Sequence, residues 1–137
     1  MEVDIVRKKV AAGDFDIQDF ELYLKAIKEL SAEDTKIKEV LEGLSNFSIQ
    51  FSILGVTDVY LKIENGEIFV ETGLIDNPNI AFEMTDIVGS GIIKNEIDPI
   101  SAYLSGDFKI IGDAAIAMKL KPYIQKYQKN LGFKIEK

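Results

Sequence analysis

The sequence contains no cysteine and no histidine among its 137 residues. Without cysteine, the chain cannot form disulfides, thiolate metal sites or a cysteine nucleophile. Without histidine, it lacks the most common general base and the most common transition-metal ligand, so no Ser-His-Asp or Cys-His arrangement is available. We therefore expect no catalytic residue of these kinds, no metal and no cofactor.

Excess positive charge and long apolar runs are also missing. The net charge of −7 argues against nucleic-acid binding, which depends on a basic surface. No stretch approaches the roughly 18 apolar residues of a membrane span. The start, Met1–Asp4, lacks the basic region and apolar run of a signal peptide. These features predict a soluble cytoplasmic protein that binds no nucleic acid.

Positive charge is instead concentrated near the C-terminus. Residues 119–137 hold six basic residues and one acidic residue. The lysines are Lys119, Lys121, Lys126, Lys129, Lys134 and Lys137. They either complement a helix C-terminus and keep a surface soluble, or give transient contact with an anionic membrane.

The first third of the chain predicts helices. Val3, Val6 and Val10 recur at i, i+3 and i+7, and similar stripes follow up to residue 45. The length fits one domain overall, in which residues 1–45 form a helical segment packed on residues 46–137. The N-terminal helices also offer a surface for a homodimer.

The pattern then changes to period two. Residues 47–53, 59–64, 67–72 and 80–84 alternate apolar and polar side chains, and Asn65-Gly66 predicts a hairpin. Two short helices, a strand at 108–111 and a final helix follow, and Pro122 should kink that helix or begin a new one. The order predicts an α+β fold in two layers, with a largely antiparallel sheet, helices on one face and water on the other.

Small and acidic residues in the second half allow two interpretations. Gly89 and Gly91 within one short helix would leave space unless they serve close packing. The acids Asp86, Asp98, Asp107 and Asp113 are mainly expected to cap helices and turns, with a hydrolytic carboxylate pair as the weaker alternative.

Three segments resemble a known family. Asn77–Asp86 (NPNIAFEMTD), Asp98–Asp113 (DPISAYLSGDFKIIGD) and Ala117–Leu120 (AMKL) follow in order the motifs of the sterol carrier protein type 2 family. The resemblance covers about residues 47–127. Asp107 departs from it, because the family usually has lysine there, and Ile111 departs because that position is often polar.

The resemblance implies a five-stranded sheet under helices, with a tunnel between them for sterols, fatty acyl chains or acyl-CoA. We therefore expect non-catalytic binding of a lipid or other hydrophobic molecule, such as a fatty acyl or isoprenoid-like compound, with transfer of that molecule as a further role left open. The expected lining residues are Phe51, Ile53, Leu61, Ile63, Phe82, Met84, Ile92, Tyr103, Ile116, Leu120 and Ile124. Tyr103 would supply the polar contact to a head group.

Two alternatives remain open from the sequence. The first is a protein-interaction or dimerisation module whose core is filled by its own side chains. The second is an accessory subunit of a lipid-modifying enzyme. For a lipid carrier, the final helix is the expected gate, since it contains Pro122 and ends near the chain terminus, where order is usually weakest.

Overall fold

A computed structural model describes residues 1–44 and 46–134. Ser45, at the expected segment boundary, and residues 135–137, which include Lys137, lie outside the described residues. The elements are α1 (Glu2–Ala12), a 3-10 turn (Ile17–Asp19), α2 (Phe20–Ser31), α3 (Thr35–Glu42), β1 (Phe47–Ile53), β2 (Thr57–Glu64), β3 (Glu67–Thr72), β4 (Ile80–Met84), α4 (Asp86–Ile93), α5 (Pro99–Ser105), β5 (Phe108–Gly112) and α6 (Ala114–Asn130). This is the predicted α+β order.

The five strands form one sheet in the order β3-β2-β1-β4-β5. Strands β1 and β4 are parallel, with Phe51 opposite Phe82, and the other three pairs are antiparallel. The prediction of a largely antiparallel five-stranded sheet is therefore confirmed. The parallel pair arises because the chain leaves β3 at one edge and must cross the sheet to reach β4.

That crossing changes the second face of the sheet. The amide of Gln50, in the central strand β1, donates to the carbonyls of Val59 (3.2 Å) and Gly73 (3.1 Å) and accepts from the backbone N–H of Ile75 (2.9 Å). Gln50 is 5% exposed. Because Gln50 points away from the helices, the loop at 73–79 covers the middle of this face. The prediction that water covers it is wrong at β1, where a polar side chain anchors the crossing loop.

Asp98 and Asp113 cap helices as predicted, whereas Asp86 lies in the first turn of α4 and Asp107 accepts from the hydroxyl of Ser105. Asp34, Asp98 and Asp113 accept hydrogen bonds from backbone N–H groups at the starts of α3, α5 and α6. Asp16 caps the 3-10 turn before α2, and Thr85 caps α4. Each cap satisfies an amide that has no partner within its helix.

The N-terminal helices pack into the main core. Val3 and Val6 of α1 are buried, as are Leu24 and Ile27 of α2. Their apolar stripes are thus occupied within the chain, and Ile5 is an exposed apolar side chain on α1. A homodimer through these helices stays a prediction.

Helix α6 runs from Ala114 to Asn130 without a break and includes Pro122. The expected new helix at this proline does not occur. Proline removes one backbone donor, at a typical cost of about 3 kcal/mol in a helix interior. Buried Leu120 and Tyr127 hold the helix on both sides of the proline, and their packing offsets that cost.

Candidate ligand-binding face

An aromatic row crosses the side of the sheet that the helices cover. Phe51 and Phe82, neighbours on β1 and β4, stack with ring centroids 5.3 Å apart. Phe82 also stacks with Phe108 of β5 at 5.5 Å. From the helix layer, Phe20 meets the ring of Phe51 edge-on at 5.2 Å. The row is therefore a continuous apolar floor over three strands.

Two parts of the molecule differ in how completely their apolar side chains are buried. We call residues 1–44 and 127–133 the closed region, in which Val6, Ala26 and Leu131 have no exposed surface. We call residues 86–124 the open region, where many apolar side chains remain accessible. Exposed large apolar residues there are Ile87, Ile100, Tyr103, Leu104, Ile111 and Met118. The open region thus leaves more large apolar side chains accessible to solvent.

The predicted lining residues differ in how deeply they are buried. Ile53, Ile63, Met84 and Leu120 are buried in the core. Phe51, Leu61, Phe82, Ile92, Ile116 and Ile124 are partly buried and pack against that core. Tyr103 is 49% exposed.

The structure brings only part of this set together. Phe51 and Phe82 are in contact, and Ile53 is paired with Met84 on the same two strands. Ile63 lies on β2, opposite Phe47 of β1, and is therefore two strands away from Phe82. The group that offers accessible apolar surface is the partly buried one.

Within the described residues 1–44 and 46–134, we consider two surface clefts, and none of the predicted lining residues borders either of them. A cleft of about 360 Å³ is lined by Glu2, Lys25, Lys28, Glu29, Ala32 and Val70. One of about 250 Å³ is lined by Asn46, Phe47, Ser48, Lys62, Glu64 and Ile75. Both are bordered by charged side chains, unlike the aromatic row. A ligand on that row would need the helices above it to move.

The glycines of α4 do not leave space. A Cβ at Gly89 would lie 3.2 Å from Ile17 and 3.3 Å from the sulfur of Met84, and one at Gly91 would collide with Ile97. Both glycines are buried. They allow the helix backbone to pack closely against its neighbours, so the interpretation of Gly89 and Gly91 as a source of cavity volume is wrong.

The final helix is firmly attached at its C-terminal end. The hydroxyl of Tyr127 donates to the carboxylate of Asp34 at 2.8 Å, and the amide of Gln128 donates to the hydroxyl of Tyr23 at 2.8 Å. Just beyond the helix, Phe133 packs edge-on against Phe15 at 5.0 Å and Tyr23 at 5.8 Å.

Ionisation at these contacts follows from their burial. Desolvation raises the pKa of Tyr23 and of Tyr127, so both stay neutral hydroxyls. The hydrogen bond from Tyr127 is the main influence that lowers the pKa of Asp34, and Lys126 at 3.2 Å adds to it. Polar and aromatic contacts therefore fix the C-terminal end of α6 to α2 and α3, and the role of this helix as a gate stays a prediction.

Two of the predicted acids are hydrogen-bonded to neighbouring serines. Asp98 accepts from the backbone and hydroxyl of Ser101, and Asp107 accepts from the hydroxyl of Ser105. Within residues 1–44 and 46–134, no cluster of three acidic side chains could hold a metal ion. Among the same residues, no helix has both the length and the apolar character needed to cross a membrane.

Sequence reasoning missed the part that Phe20 and Phe133 play. Phe20 lies within the helical first third of the chain, but its contact with Phe51 across the layers depends on how the helix lies on the sheet. Phe133 follows the last helix in a polar context and carries no periodic signal. The signal that points to it is an aromatic residue directly flanking a helix.

Comparison with known proteins gives a consistent result. A family model described as the SCP-2 sterol transfer family matches residues 24–125. Human stomatin-like protein 1 is 30% identical over 101 residues, which are 70% of this chain and 25% of that protein. The mouse protein of the same name is 29% identical over the same length. The chain thus spans about a quarter of the length of these curated relatives.

Solved structures share the fold. The sterol carrier protein domain 2 of Helicoverpa armigera superposes with a TM-score of 0.56 and 24% identity, covering 88% of this chain and 92% of that one. The apo form of sterol carrier protein 2 from Yarrowia lipolytica gives a TM-score of 0.57 and 12% identity, covering 80% and 91%. At these identities the likeness establishes the architecture alone.

Proposed function

Because the chain belongs to the SCP-2 sterol transfer family, we propose that it binds a lipid or similar apolar molecule between the sheet and α4–α6, without catalysing a reaction. The observation that carries the proposal is the aromatic row of Phe51 and Phe82, whose side chains are only partly buried. A binding protein with this role has no need for the histidine and cysteine that the sequence lacks. The cytoplasmic location stays a prediction.

The proposed site uses the partly buried members of the predicted set. Phe51 and Phe82 form its floor, and Ile110 extends the floor because it pairs with Phe82 on β5. Ile92 of α4, with Ile116 and Ile124 of α6, forms the roof. The predicted roles of buried Ile63 and of half-exposed Tyr103 have no support from their positions.

The energy of binding would come from burial of apolar surface. A ligand chain that hides about 300 Å² gains about 7 kcal/mol before the entropic costs of association. Stacked and edge-on phenylalanine rings offer large apolar areas with little side-chain entropy to lose. Such a site selects for apolar character more than for a particular head group.

Entry would require movement of the first half of α6. Its C-terminal end is fixed by Tyr127 and Gln128, whereas Ala114, Ala115 and Met118 near its start are exposed. Pro122 lies between these parts and weakens the helix there. The proposed opening is therefore a displacement of residues 114–121 about Pro122, with the C-terminal end as the fixed point.

A pair of neighbouring isoleucines tests the proposed site. Ile110 faces the helices, whereas Ile111 faces away and is 62% exposed. We expect the larger side chain of Ile110→Trp to occupy space that the ligand would use. Binding of an environment-sensitive fluorescent fatty acid should weaken about tenfold or more, which corresponds to about 1.4 kcal/mol of binding free energy. Ile111→Trp is the matched control and should bind like the unmodified protein.

Native mass spectrometry of the purified chain completes the test. A co-purifying lipid that the fluorescent probe displaces would support the proposal. If no lipid co-purifies and the probe does not bind, the alternative of an interaction module with a filled core is favoured. Equal loss of binding in both tryptophan variants would place the site elsewhere.

A further inference from the structure

Strand β5 forms one edge of the sheet, next to β4. The backbone N–H of Asp113 donates to the carbonyl of Asn79 at 3.1 Å, and the register of the two strands places these residues opposite each other. In an antiparallel pair, residues that bond to the neighbouring strand alternate with residues that point outward. The residues that bond to β4 are therefore Lys109, Ile111 and Asp113.

The backbone groups of Phe108, Ile110 and Gly112 consequently point away from the sheet, and we call them the free edge. Within the described residues 1–44 and 46–134, no backbone group of a loop or helix pairs with them. A row of unpaired N–H and C=O groups is a template for one further strand. Added strands of this kind are a common way for a sheet to bind an extended peptide.

The two edges of the sheet differ in their side chains. At the opposite edge, β3 exposes Glu67 and Glu71, and charged side chains at an edge discourage strand pairing. On β5, Ile111 is 62% exposed, and Nζ of Lys109 lies 3.7 Å from Oε1 of Glu83 on β4. That lysine is held over the sheet, so β5 offers accessible apolar surface beside its unpaired backbone.

Acidic residues stand at both ends of this strand. Asp107 directly precedes it and Asp113 directly follows it, and both are exposed. Asp107 accepts from the hydroxyl of Ser105 at 3.0 Å, and Asp113 accepts from the backbone at the start of α6. An apolar strand between two carboxylates complements an extended segment that alternates apolar residues and carries a lysine or arginine at each end.

A second copy of this chain does not complement the edge. A closed two-fold dimer through β5 would pair the strand with itself in antiparallel orientation. Centred on Ile110, this pairing would set Asp107 of one chain opposite Asp113 of the other at both ends, and like charges in opposite positions are destabilising. The net charge of −7 on each chain adds to the repulsion.

We propose that the free edge of β5 binds an extended segment of a partner protein as a sixth strand of the sheet. The segment alternates apolar side chains, one of which packs on Ile111, and places a basic residue beside Asp107 and another beside Asp113. This role goes beyond lipid binding, because it uses the outer edge and the outer face of β5 rather than the space between the sheet and the helices.

The test uses a fluorescein-labelled peptide of sequence KTVTVTK with the full chain. Its two lysines have the same spacing as Asp107 and Asp113, and its valines share their face with the lysines. We expect fluorescence anisotropy to show saturable binding, and the matched peptide ETVTVTE to bind at least about tenfold more weakly. If KTVTVTK does not bind, or if both peptides bind equally, the proposal is wrong.

Charge reversal at one end of the strand sharpens this test. Asp107→Lys should weaken binding of KTVTVTK about fivefold, and one of the peptides ETVTVTK and KTVTVTE should recover the lost affinity. The recovered peptide identifies the direction in which the segment lies on β5. Glu71→Lys, the matched control on β3, should leave binding within twofold. Equal weakening by Asp107→Lys and Glu71→Lys would overturn the assignment of the edge.

A further variant separates this proposal from the lipid-binding function. Ile111→Ser should weaken binding of KTVTVTK about threefold or more, because it removes the exposed apolar contact, while binding of the fluorescent fatty acid stays unchanged. Peptide binding by a chain that binds no fatty acid would support the edge and count against lipid binding alone. A stable dimer in analytical ultracentrifugation that Ile111→Ser dissociates would show that a second copy covers the edge, contrary to the proposal.

Discussion

The closed and open regions show two different uses of apolar side chains in one domain. In the closed region, Phe15, Tyr23 and Phe133 interlock edge-on and are all less than a tenth exposed. In the open region, α5 leaves most of its large apolar side chains accessible. Apolar surface that is sealed contributes to stability, whereas apolar surface that stays accessible remains available for a ligand or a partner.

The contrast is most evident within α6. Its C-terminal end belongs to the closed region, through Tyr127 and Gln128, and its start belongs to the open region. A single helix thus joins a fixed anchor to a more accessible segment. Regions that move to admit ligands are usually those with fewer buried contacts.

The largest expected effect comes from breaking the closed region. Phe133→Ala removes the ring that packs on Phe15 and Tyr23. We expect it to lower the free energy of unfolding by about 3–5 kcal/mol, as for other buried aromatic side chains. Urea unfolding followed by circular dichroism measures this change.

The matched control for this substitution is Phe69→Ala on the edge strand β3. Phe69 is 38% exposed, with Lys28 above its ring at 5.5 Å. Phe69→Ala should lower the free energy of unfolding by less than half as much as Phe133→Ala. If Phe69→Ala and Phe133→Ala destabilise the protein equally, the end of α6 is not the anchor that its contacts indicate.

A smaller effect is expected at the contact between α3 and α6. Asp34→Ala removes both the cap of α3 and the acceptor for the hydroxyl of Tyr127. The expected loss in the free energy of unfolding is about 2–4 kcal/mol. Asp34→Asn keeps a capping oxygen and should therefore lower the free energy of unfolding by less than Asp34→Ala.

Asp34 should also contribute to the pH dependence of stability. Its folded pKa lies below the unfolded value of 3.8, so its contribution is complete above that value and is lost as pH falls through the folded pKa. Acid unfolding followed by fluorescence or circular dichroism should therefore depend less steeply on pH in Asp34→Asn below about pH 4. An identical acid profile for both proteins would contradict the assigned hydrogen bond.

The smallest effect is expected in the open region. Asp113→Ala removes the cap at the start of α6. We expect it to lower the free energy of unfolding by about 0.5–2 kcal/mol. Fluorescent fatty-acid affinity, measured well below the melting temperature, should stay within a few-fold. Hydrogen exchange should rise in residues 114–121 more than in residues 127–130.

Loss of all binding in a folded Asp113→Ala protein would show that Asp113 contacts the ligand. Asp113→Ser, which retains a capping side chain, should restore most of the stability. A rise in exchange along the whole helix would remove the distinction between its two ends.

The sequence predicted the elements of the fold because each has a local physical signal. Alternation in β1, the Asn65-Gly66 hairpin and the caps at Asp98 and Asp113 all appear in the structure. Only part of the candidate site followed from the same signals. Alternation identifies Phe51 and Phe82 as facing the helices, but it does not show which helix covers them or how completely.

The sequence by itself thus determined the fold class, the order of elements and the face of each strand, because these follow from the periodicity of apolar residues and from capping residues. The tertiary structure decided what local signals cannot encode. It placed the loop after β3 across the sheet on Gln50, used Gly91 for close packing against Ile97, and fixed the end of α6 through Asp34. These outcomes depend on contacts between residues far apart in the chain, because burial and hydrogen bonding are completed only when the layers meet.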